Sequence, residues 1–120
     1  MSAPAALAEK SPEEIREELL GFPETTIDAV MRFRSDGGIE TLTEVVLRVI
    51  EYYLPRDKQV ALLDLPASTH LSDDLGADSL LIAEVGFKLE ELLGVGVDLQ
   101  AGTPVETLGD LIAILRQRLD

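Results

Sequence analysis

The sequence predicts an all-α protein with a single aliphatic core. Apolar residues make up 46% of the 120 residues, whereas aromatic residues make up only 4%. Such a core relies on Leu, Ile, Val and Ala, which suits packed helices better than a sheet. Apolar residues also recur at spacings of three and four along several runs, which is the period of an amphipathic helix. A chain of this length buries one core of useful size.

Charge and cysteine content narrow the class of function. The chain has 23 acidic and 10 basic side chains, a net charge of −13, and no cysteine. Such a chain repels nucleic acids and anionic membranes and attracts basic protein surfaces. The missing cysteines exclude disulfides and thiolate metal sites and fit a reducing compartment. We find neither a membrane-spanning apolar run nor a secretory signal pattern. We therefore expect a cytoplasmic protein without membrane insertion or a nucleic-acid partner.

Residues 1–40 are expected to form an N-terminal extension. Its first ten residues are small and rich in Ala and Pro, which predicts a disordered tail. The Ser-Pro-Glu-Glu run at 11–14 combines an N-cap, a first-turn proline and a capping-box glutamate, and it opens a short helix that Gly21 closes. A second short helix starts at 22–25 and ends at the Ser-Asp-Gly-Gly run at 35–38. The two helices make a helical hairpin. Their apolar stripes contain Ile15, Leu19 and Leu20, then Ile27, Val30, Met31 and Phe33.

Residues 41–120 are expected to form a bundle of three main helices and a short one. The first main helix starts at Thr41 and ends at Pro55, because proline cannot continue it. The second runs from Ser79 to about Leu93, where glycines stop it.

The remaining segments have weaker patterns. Residues 55–74 lack sustained periodicity and are expected to hold one helical turn near Gln59–Leu63. A short turn or helix is expected between Asp98 and Ala101. The last main helix begins near Thr107 and has one apolar face.

Residues 74–81 have the sequence Asp-Leu-Gly-Ala-Asp-Ser-Leu-Leu, which places a serine in the first turn of the second main helix. Helix capping alone explains an Asp-Ser pair, since both side chains satisfy free N–H groups at a helix start. The longer run from Leu71 to Leu80, with the acidic and apolar residues that follow it, closely resembles the acyl carrier protein family. The resemblance covers about residues 41 to 118.

This resemblance implies a carrier function centred on Ser79. In that family the serine of the Asp-Ser-Leu motif holds a 4′-phosphopantetheine arm, whose thiol carries an acyl chain as a thioester. Ser79 is then the attachment residue, with Asp78 beside it in the cofactor-binding motif. A phosphopantetheinyl transferase moves the arm from coenzyme A with Mg²⁺, and the chain itself is no enzyme. A helix N-terminus suits the phosphodiester because its partial positive charge favours anions.

Catalytic and metal sites are disfavoured near Ser79. His70 lies nine positions before the serine, and a nucleophile needs a base that is itself held in place. We therefore predict no catalytic residue. Asp73 and Asp74 lack the spacing of a calcium loop, so we interpret them as a solvated charge pair and predict no metal site.

The helix after Ser79 has an outer face on which apolar and acidic side chains alternate. A helical wheel places a core set on one side: Ile82, Val85, Gly86, Leu89 and Leu93. The opposite side contains Leu80, Ala83, Glu84, Phe87, Glu90 and Glu91. This mixture favours docking over a plain solvated face. The resemblance implies partner-docking roles for Leu80, Glu84, Phe87, Glu90 and Glu91. Two positions, Leu81 and Lys88, depart from the family pattern, which indicates a narrower choice of partners.

The interior of the bundle is expected to shield the acyl chain by opening between helices. The candidate lining residues of this acyl pocket are Val85, Leu89, Val97, Leu108 and Ile112. In the unloaded state the same residues serve as ordinary core.

Other functions stay open at this point. Carriers of aminoacyl, aryl, peptidyl or polyketide intermediates share the fold and the serine, although the Gly-Ala-Asp-Ser-Leu wording favours acyl over peptidyl carriers. An unmodified acidic helical adaptor would use Ser79 only as a capping residue.

For an acyl carrier, the expected partners are the transferase and acyl-loading, ketosynthase, reductase or acyltransferase enzymes with basic patches. These enzymes belong to fatty-acid or specialised lipid or polyketide biosynthesis. We expect a monomer. The extension is expected to pack on the bundle, with binding of one dedicated enzyme or dimerisation as the other two options.

Overall fold

The computed structural model describes residues 4–55, 57, 60–94 and 106–119, and over these ranges the chain is all-α. Its helices in chain order are α1 (Ala5–Ala8), α2 (Pro12–Glu18), α3 (Glu24–Asp36), α4 (Ile39–Tyr53), α5 (Leu71–Leu75), α6 (Ser79–Leu93) and α7 (Leu108–Leu119). A 3₁₀ turn at Leu62–Asp64 lies between α4 and α5. An isolated bridge pairs His70 with Thr107. The predicted fold class is confirmed.

Helix α4 is the centre of the bundle. It packs against α3, α6, α7 and the 3₁₀ turn. Its sequence alternates aliphatic and polar residues at helical spacing, so one broad face is apolar. The buried residues of this helix are Leu42, Val45, Val46, Leu47, Val49 and Ile50. Full burial of each aliphatic side chain is worth about 1.5–3 kcal/mol, so this face contributes substantially to core stability.

Both predicted helices of the extension are present, but the second is longer than the short helix that the sequence predicted. Ser11 caps α2 by accepting a hydrogen bond from the Glu14 N–H at 3.2 Å. Helix α3 has 13 residues and ends at Gly37, which takes the left-handed conformation with φ 65°. Ile15 and Leu19 are buried as expected, whereas Leu20 is 79% exposed. Leu20 is therefore not part of the core stripe.

The predicted disordered tail is wrong for residues 5–8. These residues form α1, and Leu7 is fully buried. The Arg34 guanidinium on α3 holds the end of α1 by donating to the carbonyls of Ala8 at 3.2 Å and Lys10 at 3.0 Å. The small residues of this segment offer little apolar area, and composition carries no information on such partners far along the chain.

Besides the packing of α3 on α4, two lysines that cap helix ends join the extension to the bundle. Lys10 Nζ donates to the carbonyls of Glu91 at 3.2 Å and Leu92 at 2.9 Å, near the end of α6, and pairs with the Glu18 carboxylate at 2.7 Å. In the opposite direction, Lys88 Nζ on α6 donates to the Glu18 carbonyl at the end of α2, at 3.0 Å. The last carbonyls of a helix have no partner within it and favour cations. The two lysines therefore join α2 and α6 reciprocally.

The segment before α6 contains an element that the sequence analysis missed. The expected turn near Gln59–Leu63 is a 3₁₀ turn at Leu62–Asp64, but helix α5 lies where only loop was expected. The short turn expected between Asp98 and Ala101 lies outside the described residues. Over the part of the chain that the structure describes, none of the helices is both long and apolar enough to cross a membrane.

Candidate functional site

The position of Ser79 is set by a tight connection between α5 and α6. Helix α5 ends at Gly76, whose φ of 71° is left-handed and favours glycine. A Cβ at Gly76 would lie 3.3 Å from Cγ of Pro55, so the connection lies against the end of α4. The next residue, Ala77, is buried and its N–H donates to the Leu71 carbonyl at 2.8 Å. The chain is thus held on both sides just before the serine.

Asp78 and Ser79 begin α6. The Asp78 carboxylate accepts a hydrogen bond from the Leu81 N–H at 2.9 Å, and its carbonyl accepts from the Ile82 N–H at 3.1 Å. Ser79 is the first residue of this 15-residue helix and is exposed. The N-terminus of a helix carries partial positive charge and directs N–H groups outwards. The serine therefore lies where an attached phosphate is electrostatically favoured.

The start of α7 anchors α5 from the other side. The Leu71 N–H donates to the Glu106 carbonyl at 2.8 Å, and the Leu108 N–H donates to the Thr69 carbonyl at 3.0 Å. Asp110 closes a capping box on α7, since its carboxylate accepts from the N–H groups of Thr107 at 3.1 Å and Glu106 at 3.2 Å. These two bonds lower the pKa of the Asp110 carboxyl.

His70 and Asp74 have structural roles here, unlike the solvated charge pair expected for Asp73 and Asp74. The His70 backbone pairs with Thr107, and its N–H donates to the Asp74 carboxylate at 2.8 Å. Asp73 is exposed. Within the described residues, no group of three His, Asp or Glu side chains could hold a metal ion.

The outer face of α6 is arranged as the helical wheel predicts, except that Ala83 is half-buried. Leu80 is 67% exposed and Phe87 is 71% exposed, although both are large apolar residues. Five polar residues proposed for the cofactor motif and docking are likewise exposed, namely Asp78, Ser79, Glu84, Glu90 and Glu91. On the opposite side, Ile82, Val85, Leu89 and Leu93 are buried. Leu81 and Leu92 are also buried, which the wheel did not predict.

A family model described as the phosphopantetheine attachment site matches residues 53–115, slightly more than half of the chain. The chain belongs to this phosphopantetheine carrier family. The recognition made from the sequence is confirmed, and the family carries a covalent 4′-phosphopantetheine group. A carrier domain of this kind is not itself catalytic, and it interacts with a phosphopantetheinyl transferase and with partner enzymes. Searches of curated proteins and of solved structures give no significant match.

The residues proposed for the acyl pocket of this carrier fall into three groups. Val85, Leu89 and Leu108 are fully or almost fully buried, and Ile112 is half-buried. Val97 lies outside the described residues. An open cleft of about 460 Å³ lies elsewhere, between the α2–α3 connection, α4 and the segment before the 3₁₀ turn. Its lining includes Gly21, Thr25, Arg48, Tyr52 and Val60, and none of the proposed pocket residues.

Tyr53, the last residue of α4, is affected by acidic residues of α6, which the sequence analysis did not predict. It is partly buried at the end of α4. Burial, followed by the negative charge of Glu84, raises the pKa of its hydroxyl, and Glu91 adds to this effect. The negative charge of two carboxylates on the outer face of α6 therefore acts on this phenol.

Proposed function

We propose that Ser79 carries the phosphopantetheine arm of this family. The observation that supports it best is the exposure of this serine at the first position of α6, within the Asp-Ser-Leu motif and inside the matched region. The Asp78 cap and the glycine turn before it fix the direction of α6, so the arm leaves from a defined point. The partial positive charge at the helix start favours the phosphodiester.

We further propose that the cargo is an acyl chain. The Gly-Ala-Asp-Ser-Leu wording of the motif and the aliphatic interior support an acyl carrier in fatty-acid or specialised lipid or polyketide biosynthesis. In this proposal the acyl chain is held as a thioester and is passed between loading, condensing, reducing or acyl-transferring enzymes. Aminoacyl, aryl and peptidyl carriers are the alternative.

The outer face of α6 is proposed as the docking site for these enzymes. Glu84, Glu90 and Glu91 are exposed carboxylates, and they surround two exposed apolar side chains, Leu80 and Phe87. Carboxylates attract a basic enzyme surface and raise the rate of encounter, while the apolar side chains fill small pockets at close contact. The net charge of −13 supports the same choice of partner.

The acyl chain is proposed to enter the bundle beside α6 and α7, which both pack on α4. The side chains there, Val85 and Leu89 on α6 with Leu108 and Ile112 on α7, are aliphatic, so a hydrocarbon chain finds an apolar environment if the helices separate. Burial of each additional CH₂ group is worth about 0.8 kcal/mol. A longer chain should therefore stabilise the loaded protein more than a short one.

The attachment proposal is tested by intact mass spectrometry. The protein is incubated with coenzyme A, Mg²⁺ and a broad-specificity phosphopantetheinyl transferase. We expect the mass of one phosphopantetheine to be gained, and Ser79→Ala to abolish the gain while keeping the helical circular dichroism spectrum. Ser72→Ala, at another exposed serine one helix earlier, is the matched control and should be modified normally. Modification of Ser79→Ala would refute the assignment.

The nature of the cargo is tested by loading different arms. The transferase is supplied with acetyl-, octanoyl- or aminoacyl-coenzyme A, and the thermal midpoint of each product is measured. If the protein is an acyl carrier, the thermal midpoint should be higher with the octanoyl arm than with the acetyl arm. Leu89→Asn should reduce the difference between these two midpoints. Equal thermal midpoints for all acyl lengths would refute the proposed pocket.

A further inference from the structure

The N-terminal extension fastens the last two turns of α6. Lys10 Nζ donates to the carbonyls of Glu91 at 3.2 Å and Leu92 at 2.9 Å, in the last turn, where carbonyls have no partner within the helix. In the opposite direction, Lys88 Nζ donates to the Glu18 carbonyl of α2 at 3.0 Å. The two lysine side chains are only 17% and 19% exposed. These charged hydrogen bonds are therefore largely shielded from water.

Helix α1 lies against the same end of α6. A Cβ built on Gly94, which follows α6, would overlap the Cβ of Ala6. The next residue, Leu7, is fully buried and belongs to the same apolar core as Leu89 and Leu93 of α6. The core at this end of α6 thus includes a side chain of the extension.

The fastened end of α6 is far from the proposed attachment residue. Ser79 is the first residue of this 15-residue helix, and Gly94 follows the last one. At 1.5 Å per residue, Lys88 is about 14 Å and Gly94 about 22 Å from Ser79 along the helix axis. An acyl chain that enters beside α6 from the Ser79 end therefore advances towards the fastened end as it lengthens.

We propose that the extension limits the length of the acyl chain that the bundle accepts, and that Leu7 and Lys10 set this limit. The inference rests on the proposed function, in which the chain enters beside α6 and α7. Entry requires α6 to move away from the core. Movement of its last two turns breaks charged hydrogen bonds and exposes Leu7, and one such bond is worth more than the burial of one CH₂ group. Chains that end before these turns are therefore favoured over longer ones.

The inference narrows the class of cargo to acyl chains of short or medium length. Leu7 and Lys10 lie outside residues 53–115, the region that matches the carrier family. The limit is therefore a property that the extension adds to the carrier fold. Removal of the Lys10 charge frees the end of α6, and truncation of Leu7 leaves space at the end of the core. Either change should admit a longer chain.

The test is the thermal midpoint of the full-length protein loaded with even-numbered acyl chains from butanoyl to hexadecanoyl. We expect the parent midpoint to rise with chain length up to a limit and then to fall. In Leu7→Ala and Lys10→Met the limit should lie about two carbons higher, because space is gained at the end of the core. Arg16→Met is the matched control for Lys10→Met, since Arg16 pairs with Glu24 at 3.1 Å within the extension. Its limit should equal that of the parent.

Amide hydrogen exchange of the parent keeps the test decisive if a variant folds poorly. The N–H groups of Ala8 and Glu9 donate to the carbonyls of Pro4 and Ala5, each at 2.9 Å. A chain beyond the limit should displace α1 and speed the exchange of these two amides, whereas a chain below the limit should not. Unchanged exchange at every chain length would overturn the inference.

The outcomes separate this inference from the proposed function. If the midpoint rises with chain length but the limit is the same in Leu7→Ala, Lys10→Met and the parent, the extension does not set it, and the proposed pocket stands. A midpoint that rises through the whole series also overturns the inference. Equal midpoints for all lengths refute the pocket, and the absence of any mass gain refutes the attachment at Ser79. The inference fails in both of these cases.

Discussion

Gly94 is the position at which a single methyl group tests the contact between the extension and the carrier bundle. Gly94 ends α6 in the left-handed conformation with φ 75°. A Cβ built there would overlap the Cβ of Ala6 on α1. The substitution Gly94→Ala therefore combines two costs. One is backbone strain at a positive φ, and the other is steric overlap with the first helix of the extension.

The magnitudes of the two costs differ enough to be separated. A residue with a Cβ in the left-handed region costs about 1–2 kcal/mol. Relief of the overlap requires α1 to move away, and full loss of the burial of Leu7 would cost a further 1.5–3 kcal/mol, roughly. We expect Gly94→Ala to lower the free energy of unfolding by about 3 kcal/mol. Gly37→Ala, at φ 65° after α3, is the control for the backbone cost alone, and its free energy of unfolding should fall by about 1–2 kcal/mol.

The assay is urea denaturation followed by circular dichroism, with Ala6→Gly completing a double-mutant cycle. Ala6→Gly removes the overlapping atom. The free energy of unfolding of the double variant should therefore be about 1.5 kcal/mol higher than the value obtained by adding the effects of the two single variants. Strictly additive effects would show that α1 does not contact Gly94 in solution. A loss for Gly94→Ala no larger than that for Gly37→Ala would refute the same contact.

Three further predictions follow from contacts of single side chains. Lys88→Met should lower the free energy of unfolding by about 1.5 kcal/mol in urea denaturation, because the charged hydrogen bond to the Glu18 carbonyl is lost. Hydrogen bonds from Thr41 and Gly38 lower the pKa of Asp36, so Asp36→Asn should be less stable than the parent at neutral pH, and the two curves should converge as pH falls below 3.8. The pKa of Tyr53 is raised mainly by burial, so the parent should lose stability as pH rises above 10.0 in thermal melts and Tyr53→Phe should lose less.

Local signals in the sequence predicted α6 and its outer face well. The Asp78 cap, the apolar residues at helical spacing and the glycine at 94 fix both ends and the orientation of this helix, because each acts within one or two turns. The exposed apolar residues Leu80 and Phe87 were found by the same argument, since the wheel depends only on the period of 3.6 residues. The start of α7 was placed within one residue, because Thr107 acts as a local cap.

The missed features depend on partners that are distant in the chain. Helix α5 has only five residues and is anchored by the hydrogen bond from Leu71 to the Glu106 carbonyl, 35 positions later in the sequence numbering. Isolated helices of this length are not stable on their own, so no local pattern indicates it. Helix α1 is similar, since its order depends on Arg34 and on burial of Leu7.

The two departures from the family pattern have structural reasons within this chain. Leu81 is buried, so an acidic residue there would place an uncompensated charge in the core, at a cost that burial of a carboxylate always carries. Lys88 holds the end of α2, which no pattern confined to α6 could reveal. The sequence analysis interpreted both residues as signs of narrower partner choice. Their contacts indicate a different main reason for these two residues, which is the fit of α6 to the core and to the extension. Any effect of Lys88 on the choice of partners would act through the position of that extension.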